Sequence, residues 1–453
     1  MTDARRLFGT DGIRGTANVE PVTAETMVRL GRALGAWTRR EVGRCRVVIG
    51  RDTRRSGDML ESALTAGLCA AGADVLQAGA LPTPAVALLT REFAAAAGVV
   101  VSASHNPAAD NGVKLFAHDG FKLPDAVEVE IEGLMAGGAD APPAATGAEI
   151  GTAVRVEDAS ARYVDAMIAT VPSLASLRGV RVVLDCAHGA AYRVAPEVFR
   201  VLGASVVALG VDPDGDNINQ DAGALHPETL QARVVAEQAH LGMAFDGDAD
   251  RVVLVDETGT VVDGDEILAM LGLERLVAGT LPSATVVATV MSNLGLEVAL
   301  QAKGGRLVRT QVGDRYVVEA MRQGGYPVGG EQSGHIILLE HSTTGDGVLA
   351  ALQVLRLMVE TGRPLSELRQ RMRRFPQSLV NVRVARRREL QELPRVQETI
   401  QRITAAMGER GRVLVRYSGT EPLVRVMVEG EEADRVRAYA EEIAAAVAEA
   451  ASA

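Results

Sequence analysis

The stretch VVVSASHNPAADNG, Val99 to Gly112, ends an apolar β-branched run in a cluster of polar side chains: Ser102, Ser104, His105, Asn106 and Pro107. In an α/β sheet, the C-terminal end of a strand is where ligands usually sit. A serine is a weak nucleophile at its own pKa and needs a base, a metal or both. Lys114, ten residues after Ser104 in DNGVKLF, can return to the same pocket. The competing reading is a capping serine in an Asn-Pro turn. A second stretch, MAFDGDADRVVLVDE (Met243–Glu257), places Asp246, Asp248 and Asp250 alternately after another apolar run. Three carboxylates packed together without a cation repel one another, so a bound metal is the natural explanation. Oxygen donors without cysteine favour Mg²⁺ or a similar hard ion. An EF-hand loop requires glycine where Arg251 stands, and Val252–Val255 reads as a strand, which argues against that loop. An aspartate-nucleophile phosphatase shares the pattern and would carry an acyl phosphate on Asp246.

Two further clusters handle hydroxyls and anions. In VGGEQSGHIILL (Val328–Leu339), Gly329, Gly330 and Gly334 allow close backbone approach. Glu331, Ser333 and His335 alternate and share one face if the chain is extended, which suits a ligand rich in hydroxyls. His335 can move a proton or serve as a structural histidine. In VRYSGTEPLVRVMVEG (Val415–Gly430), Arg416, Ser418, Gly419, Thr420 and Arg425 supply guanidinium forks, hydroxyls and free N–H groups that can cradle a phosphate dianion. A Ser-Gly turn between two surface arginines is the alternative. Together the four clusters point to phosphoryl transfer on a sugar phosphate. No Walker A sequence is present, which argues against a P-loop kinase.

Rigid elements must hold these groups. CRVVIGRDTRRSG (Cys45–Gly57), GVRVVLDCAHG (Gly179–Gly189) and ATVVATVMSNLG (Ala284–Gly295) are alike: an apolar run breaks into polar and glycine residues before a helical pattern. Runs that are apolar throughout predict strands buried on both faces, as in parallel α/β sheets. The expected fold is α/β with four domains: three related α/β domains with mixed or parallel sheets, and a smaller C-terminal α+β domain. The active site is expected in the central cleft. The expected division is 1–155 with the serine loop, 156–255 with the acidic loop, 256–373 with the hydroxyl-binding loop and 374–453 with the phosphate loop. Met27, Leu30, Leu34 and Trp37 fall at helical spacing and predict a core-facing stripe. Ala136–Gly147 reads as a surface linker, and Glu431–Ala450 as a final helix.

Composition bounds the rest. The chain has 453 residues, 47% of them apolar and only 3% aromatic, so its core is aliphatic. A net charge of −11 argues against a general nucleic-acid binder, and any phosphorylated ligand needs a local basic pocket. Cys45, Cys69 and Cys186 show no metal or redox spacing, which fits a reducing cytoplasm. The polar start lacks a signal-peptide core, and no uninterrupted apolar stretch predicts a membrane span.

The clusters SASHNP, DGDADR, GEQSGH and RYSGTEP, in that order, resemble the α-D-phosphohexomutase superfamily along the whole chain. Three details resemble its amino-sugar branch rather than those acting on glucose or mannose phosphates. They are FGTDGIRG (Phe8–Gly15), Gln332 within GEQSGH, and HSTTGDG (His341–Gly347). The resemblance implies that Ser104 carries a phosphoryl group and that Asp246, Asp248, Asp250 and a phosphoserine oxygen hold one Mg²⁺. It implies that Arg14 and Arg251 add positive charge, and that Lys114 is the general base with His335 as partner. Glu331 and Ser333 would grip sugar hydroxyls, and Arg416, Ser418, Gly419, Thr420 and Arg425 the phosphate that is not reacting. The implied reaction interconverts glucosamine 6-phosphate and glucosamine 1-phosphate and supplies UDP-N-acetylglucosamine and cell-wall precursors. Glucosamine 1,6-bisphosphate is its intermediate and activator, and it turns around between two transfers. The resemblance further implies a mobile fourth domain, a homodimer, and no nucleic-acid or membrane partner.

Overall fold

The apolar runs form strands, and several are buried along their whole length. The protein is described from a computed structural model, in which residues 7–9, 11–43, 45–137, 144–174, 176–384, 388–417 and 423–452 are described. The first sheet contains β1 (Ile13–Thr16), β2 (Arg46–Arg51), β3 (Asp74–Ala80), β4 (Ala97–Val101), β5 (Asp110–Ala117) and β6 (Ala153–Arg155), in the order β1-β5-β4-β2-β3-β6. The second contains β7 (Arg181–Asp185), β8 (Ser205–Leu209), β9 (Leu241–Phe245), β10 (Val252–Asp256) and β11 (Val261–Val262), in the order β11-β10-β9-β7-β8. The third contains β12 (Thr285–Thr289), β13 (Arg306–Thr310), β14 (Val328–Gly330) and β15 (Ile336–Leu338), in the order β13-β12-β14-β15. The fourth is an antiparallel sheet of β16 (Gln377–Arg383), β17 (Gly411–Tyr417) and β18 (Leu423–Gly430), with β18 central.

The first three sheets share one device. Each has a parallel interior, and in each a parallel strand turns straight back into an antiparallel neighbour: β4 into β5, β9 into β10, β14 into β15. The strands β4, β9, β10 and β12 are buried at every position, as helices on both faces of a sheet require. The three connecting turns hold Ser104, the aspartate triad and the Glu331–His335 segment. All three therefore leave the C-terminal ends of parallel strands. The look-alike segments of the sequence supply β2, β7 and β12, each followed by a helix: Gly57–Ala70, Val194–Val201 and Leu294–Gln301.

One apolar cluster runs through the first three sheets, from Val48 and Phe116 through Leu184 and Phe245 to Leu268 and Leu338. A separate cluster, with Val424, Val426, Val436 and Ile443, forms the core of the fourth sheet and its helices. The helix Ala24–Val42 starts at Thr23, whose side chain accepts the Thr26 N–H. It buries Met27, Leu30 and Leu34 fully and Trp37 in part. The last helix is Ala433–Ser452. In the expected linker, residues 138–143 lie outside the described residues.

Candidate active site

Ser104 is 1% exposed and lies in the left-handed region at φ 52°, which non-glycine residues seldom adopt. Its Oγ donates to Asp246 Oδ2 at 2.5 Å and lies 3.3 Å from His105 Nδ1. Burial, followed by the charges of Arg251 and Arg14, lowers His105 to about 4, so this imidazole stays neutral at physiological pH. Arg14 lies on β1 and reaches over the serine loop. Its Nη1 donates to Ala103 O at 3.2 Å and Asn106 Oδ1 at 3.4 Å.

The triad is buried, with Asp246 1%, Asp248 0% and Asp250 4% exposed, and one carboxylate oxygen from each lies within 4.8 Å of the others. The cost of this crowding is visible. Burial and the neighbouring charges of Asp250 and Asp248 raise Asp246 well above the usual carboxyl range. Burial works against ionised Asp250 too, but Lys114 and His335 overcome it and hold that carboxyl well below the range. Asp248 Oδ1 and Asp250 Oδ1 are buried without a hydrogen-bond partner. Unpartnered buried oxygens on Asp248 and Asp250, beside the carboxylate of Asp246, fit a hard divalent cation such as Mg²⁺. Arg251 closes the turn by donating its main-chain N–H to Asp246 Oδ1 at 3.1 Å. Its Nε is buried without a hydrogen-bond partner and stands 3.8 Å from Asp250 Oδ1.

Lys114 sits on β5 opposite Val100 of β4 and is 2% exposed. Its Nζ donates to Asp248 Oδ2 at 2.9 Å and Asp250 Oδ2 at 3.1 Å. Burial opposes its charge, but Asp11, Asp248 and Asp250 outweigh burial and raise it well above the usual lysine value. Lys114 is thus a buried ammonium that neutralises the triad in part. Asp11 was not singled out in FGTDGIRG, yet it joins Lys114 (3.6 Å), Lys122 and Arg14 in one ion-pair group.

Glu331, Ser333 and His335 do not lie on an extended face. They occupy the tight turn between β14 and β15, where Gly334 has φ 92° and a Cβ would meet Val252 O at 2.1 Å. Glu331 and Ser333 stay together on the outside, with Ser333 Oγ 3.4 Å from Glu331 Oε2. Glu331 Oε1 accepts the Gly313 N–H at 3.1 Å. His335 turns inward, 2% exposed, with Nδ1 3.5 Å from Asp250 Oδ1. Burial opposes a charge on the ring, while Asp250 and Asp314 favour one and raise its pKa. The Gly345 N–H donates to Nε2 at 3.1 Å, however, and a protonated Nε2 could not accept it. That bond selects the Nδ1–H tautomer facing Asp250.

Arg416 and Arg425 pair in register across β17 and β18. Burial, then Arg425, lowers Arg416. Ser418, Gly419 and Thr420 lie outside the described residues.

Other residues not anticipated from sequence brace the site. Thr83 begins the helix Thr83–Glu92, and its Oγ1 donates to Asp248 Oδ2 at 2.6 Å while its N–H donates to Asp248 O at 2.9 Å. Asp52 and Arg54 follow β2 in GRDTRRSG and pack beneath the serine loop. Asn219 reaches the same loop from the second sheet's side, donating to Ser104 O at 2.9 Å. The sequence held one signal for Asp52 and Arg54: polar residues directly after a buried strand. Thr83, at the start of a helix, and Asn219, in a loop, carry no such signal.

This arrangement is that of a phosphohexomutase. The chain belongs to the phosphoglucomutase/phosphomannomutase family: residues 5–141, 161–259 and 263–375 match its alpha/beta/alpha domains I, II and III, and residues 379–446 its C-terminal domain. It is 57% identical over 447 residues to a phosphoglucosamine mutase of Anaeromyxobacter sp. (strain Fw109-5), covering 97% of this chain and 95% of that one. A phosphoglucosamine mutase of Myxococcus xanthus (strain DK1622) is 53% identical over 449 residues, covering 99% and 98%. Among solved structures, a phosphoglucomutase/phosphomannomutase family protein from Burkholderia thailandensis superposes with a TM-score of 0.80 at 25% identity, covering 98% and 97%. No described helix is long and apolar enough to cross a membrane.

Proposed function

We propose that this chain interconverts glucosamine 6-phosphate and glucosamine 1-phosphate, with Ser104 as the phosphoryl carrier and glucosamine 1,6-bisphosphate as intermediate and activator. The observation that carries the proposal is Ser104 Oγ held at 2.5 Å from Asp246, on the edge of a buried aspartate triad with unpartnered oxygens. Full-length relatives named phosphoglucosamine mutase favour the amino sugar. Asp246, Asp248 and Asp250 would hold one Mg²⁺, which supplies charge neutralisation at the transferring phosphoryl group.

In the first half-reaction, the Ser104 Oγ–P bond breaks and a bond forms from phosphorus to the free sugar hydroxyl. The hydroxyl proton leaves to a base, and the departing Ser104 Oγ takes up a proton and returns to its hydrogen bond with Asp246. In the second half-reaction, the bond between the other phosphorus and its sugar oxygen breaks and a bond forms to Ser104 Oγ, the Ser104 proton passing to the base and a proton to the sugar oxygen as the isomer departs. Lys114 is the proposed base. Its Nζ is shared between Asp248 and Asp250, and a cation held by those two carboxylates would weaken their hold on its proton. His335, whose tautomer presents Nδ1–H to Asp250, is its partner. Arg14 and Arg251 border the serine and supply fixed positive charge. Glu331 and Ser333 are proposed to take sugar hydroxyls, and Arg416, Ser418, Gly419, Thr420 and Arg425 the distal phosphate. The proposed setting is cytoplasmic.

The test follows ³¹P spectra of the Mg²⁺-loaded enzyme with glucosamine 6-phosphate and a trace of its 1,6-bisphosphate, beside mannose 6-phosphate with its own bisphosphate. An anomeric phosphate signal is expected to grow much faster from the amino sugar. Faster turnover of mannose 6-phosphate would move the substrate to the neutral hexoses. Release of free phosphate alone would overturn the mutase reading.

A further inference from the structure

The loop that carries Ser104 closes around a buried guanidinium. Arg54 is 1% exposed and has no place in the chemistry above. All five of its N–H donors are engaged. Nε donates to Asp52 Oδ2 at 2.9 Å. Nη2 donates to Ser104 O at 2.9 Å and Asn106 O at 2.8 Å, and Nη1 to Asp110 O at 3.0 Å and to Pro107 O. Four main-chain carbonyls of one turn thus point at one side chain. Carbonyl dipoles converging in this way repel each other, and buried carbonyls left without donors are costly. The turn therefore depends on a multi-donor cation at its centre.

The same network fixes both peptide groups that flank the serine. Asp52 Oδ2 also accepts Ser102 Oγ at 2.6 Å, and Ser102 Oγ in turn accepts the Ser104 N–H at 2.9 Å. Ser104 O takes a second donor, Asn219 Nδ2 at 2.9 Å, which also reaches Asn106 O at 3.0 Å. The N–H and the carbonyl of a residue at φ 52° are both pinned, one by Asp52 through Ser102, the other by Arg54 and Asn219. Such a backbone geometry persists only where its surroundings over-determine it.

We propose that Arg54 is a positioning residue for Ser104: its guanidinium holds the serine loop in the left-handed turn that aims Oγ at Asp246, and Asn219 makes that aim depend on the second sheet unit. The inference rests on Ser104 as the phosphoryl carrier. Lysine cannot replace Arg54, because one ammonium offers three donors from a single point and cannot reach carbonyls on several sides.

The experiment compares wild type, Arg54→Lys and Asn219→Ala as full chains with Mg²⁺ and glucosamine 1,6-bisphosphate, reading kcat, KM and the melting temperature. A nucleophile misplaced by about 1 Å loses roughly 100-fold in rate. Arg54→Lys is expected to lower kcat by about that factor with KM unchanged. Asn219→Ala removes one of the two donors to Ser104 O and is expected to lower kcat about tenfold with KM unchanged. It keeps the test open if Arg54→Lys does not fold. Wild-type kcat in both folded variants, or a raised KM at unchanged kcat, would overturn the proposal even if the melting temperature falls. A wild-type chain inactive on every hexose phosphate would instead be a failure of the mutase reading.

Discussion

Asp248 is held from two sides at once: Thr83 Oγ1 meets its Oδ2 at 2.6 Å, and Lys114 Nζ meets the same oxygen at 2.9 Å. Oδ1 is left without a hydrogen-bond partner and free to face a cation. Groups that orient a ligand side chain in this way typically change metal affinity 10- to 100-fold when removed. Replacing Thr83 by valine keeps the shape and deletes the hydroxyl. Thr83→Val should raise the Mg²⁺ concentration for half-maximal activity by about tenfold. A Mg²⁺ titration of the rate checks this, and an unchanged midpoint would remove Thr83 from the site's support. At this scale the sequence was most informative where residue type alone dictates chemistry. Alternating carboxylates after a strand made a bound cation the natural expectation, and the structure leaves one oxygen each of Asp248 and Asp250 unpartnered. It was least informative where a side chain acts through a main-chain group. Arg54 and Asn219 touch carbonyls, and carbonyls carry no sequence signature.

The helix Gly264–Val277 begins with a capping box, in which Asp263 and Glu266 satisfy each other's backbone N–H groups. Asp265, next in line, is buried, and its Oδ2 accepts the Asn293 N–H at 2.8 Å. Burial, with Asp263 adding to it, raises the Asp265 carboxyl from 3.8 to about 7. The sign follows from proton binding. Between the two values the folded chain holds a proton that the unfolded chain has lost, so this group's contribution to stability is present at low pH and falls as pH rises to about 7. Asp265→Asn keeps an oxygen for Asn293 and removes the charge. The melting temperature of the variant minus that of wild type should grow from pH 4.5 to pH 7.5; a pH-independent difference would contradict the assignment. The elements themselves were largely legible. Apolar runs gave buried strands, and the stripe Met27–Leu30–Leu34 gave a core-facing helix, because burial and periodicity are local properties. The turn Glu331–His335 was not. Alternation suggests an extended face, but Gly334 at φ 92° and the pairing of β14 with β15 fold it into a hairpin that separates His335 from Glu331 and Ser333.

Across the whole molecule, three turns from three like sheets meet at one place, and side chains cross between the units to keep them there. Asn219 holds the serine loop, Thr83 the aspartate loop, and Lys122 joins Asp314 at 2.6 Å beside His335. The fourth sheet is tied separately. Asn293 accepts the Phe375 N–H at 2.9 Å and donates to Phe375 O at 3.0 Å and to Glu429, while Arg412 donates to Val290 O and Ser292 O at 2.9 Å each. The number and class of units could be read from the spacing of the runs. The convergence of the turns was legible only through the resemblance and not from the residues themselves, since it depends on contacts between residues more than a hundred positions apart, such as Ser104 with Asp246. The proposed function makes one serine, Ser104, rather than Asp246, the phosphoryl carrier. The direct test is to incubate the intact enzyme with glucosamine 1,6-bisphosphate labelled with ³²P, then map the labelled peptide and challenge it with acid and with hydroxylamine. The label should survive both treatments and map to Ser104, and Ser104→Ala should take up none. Label that is released by hydroxylamine and maps to Asp246 would contradict the account.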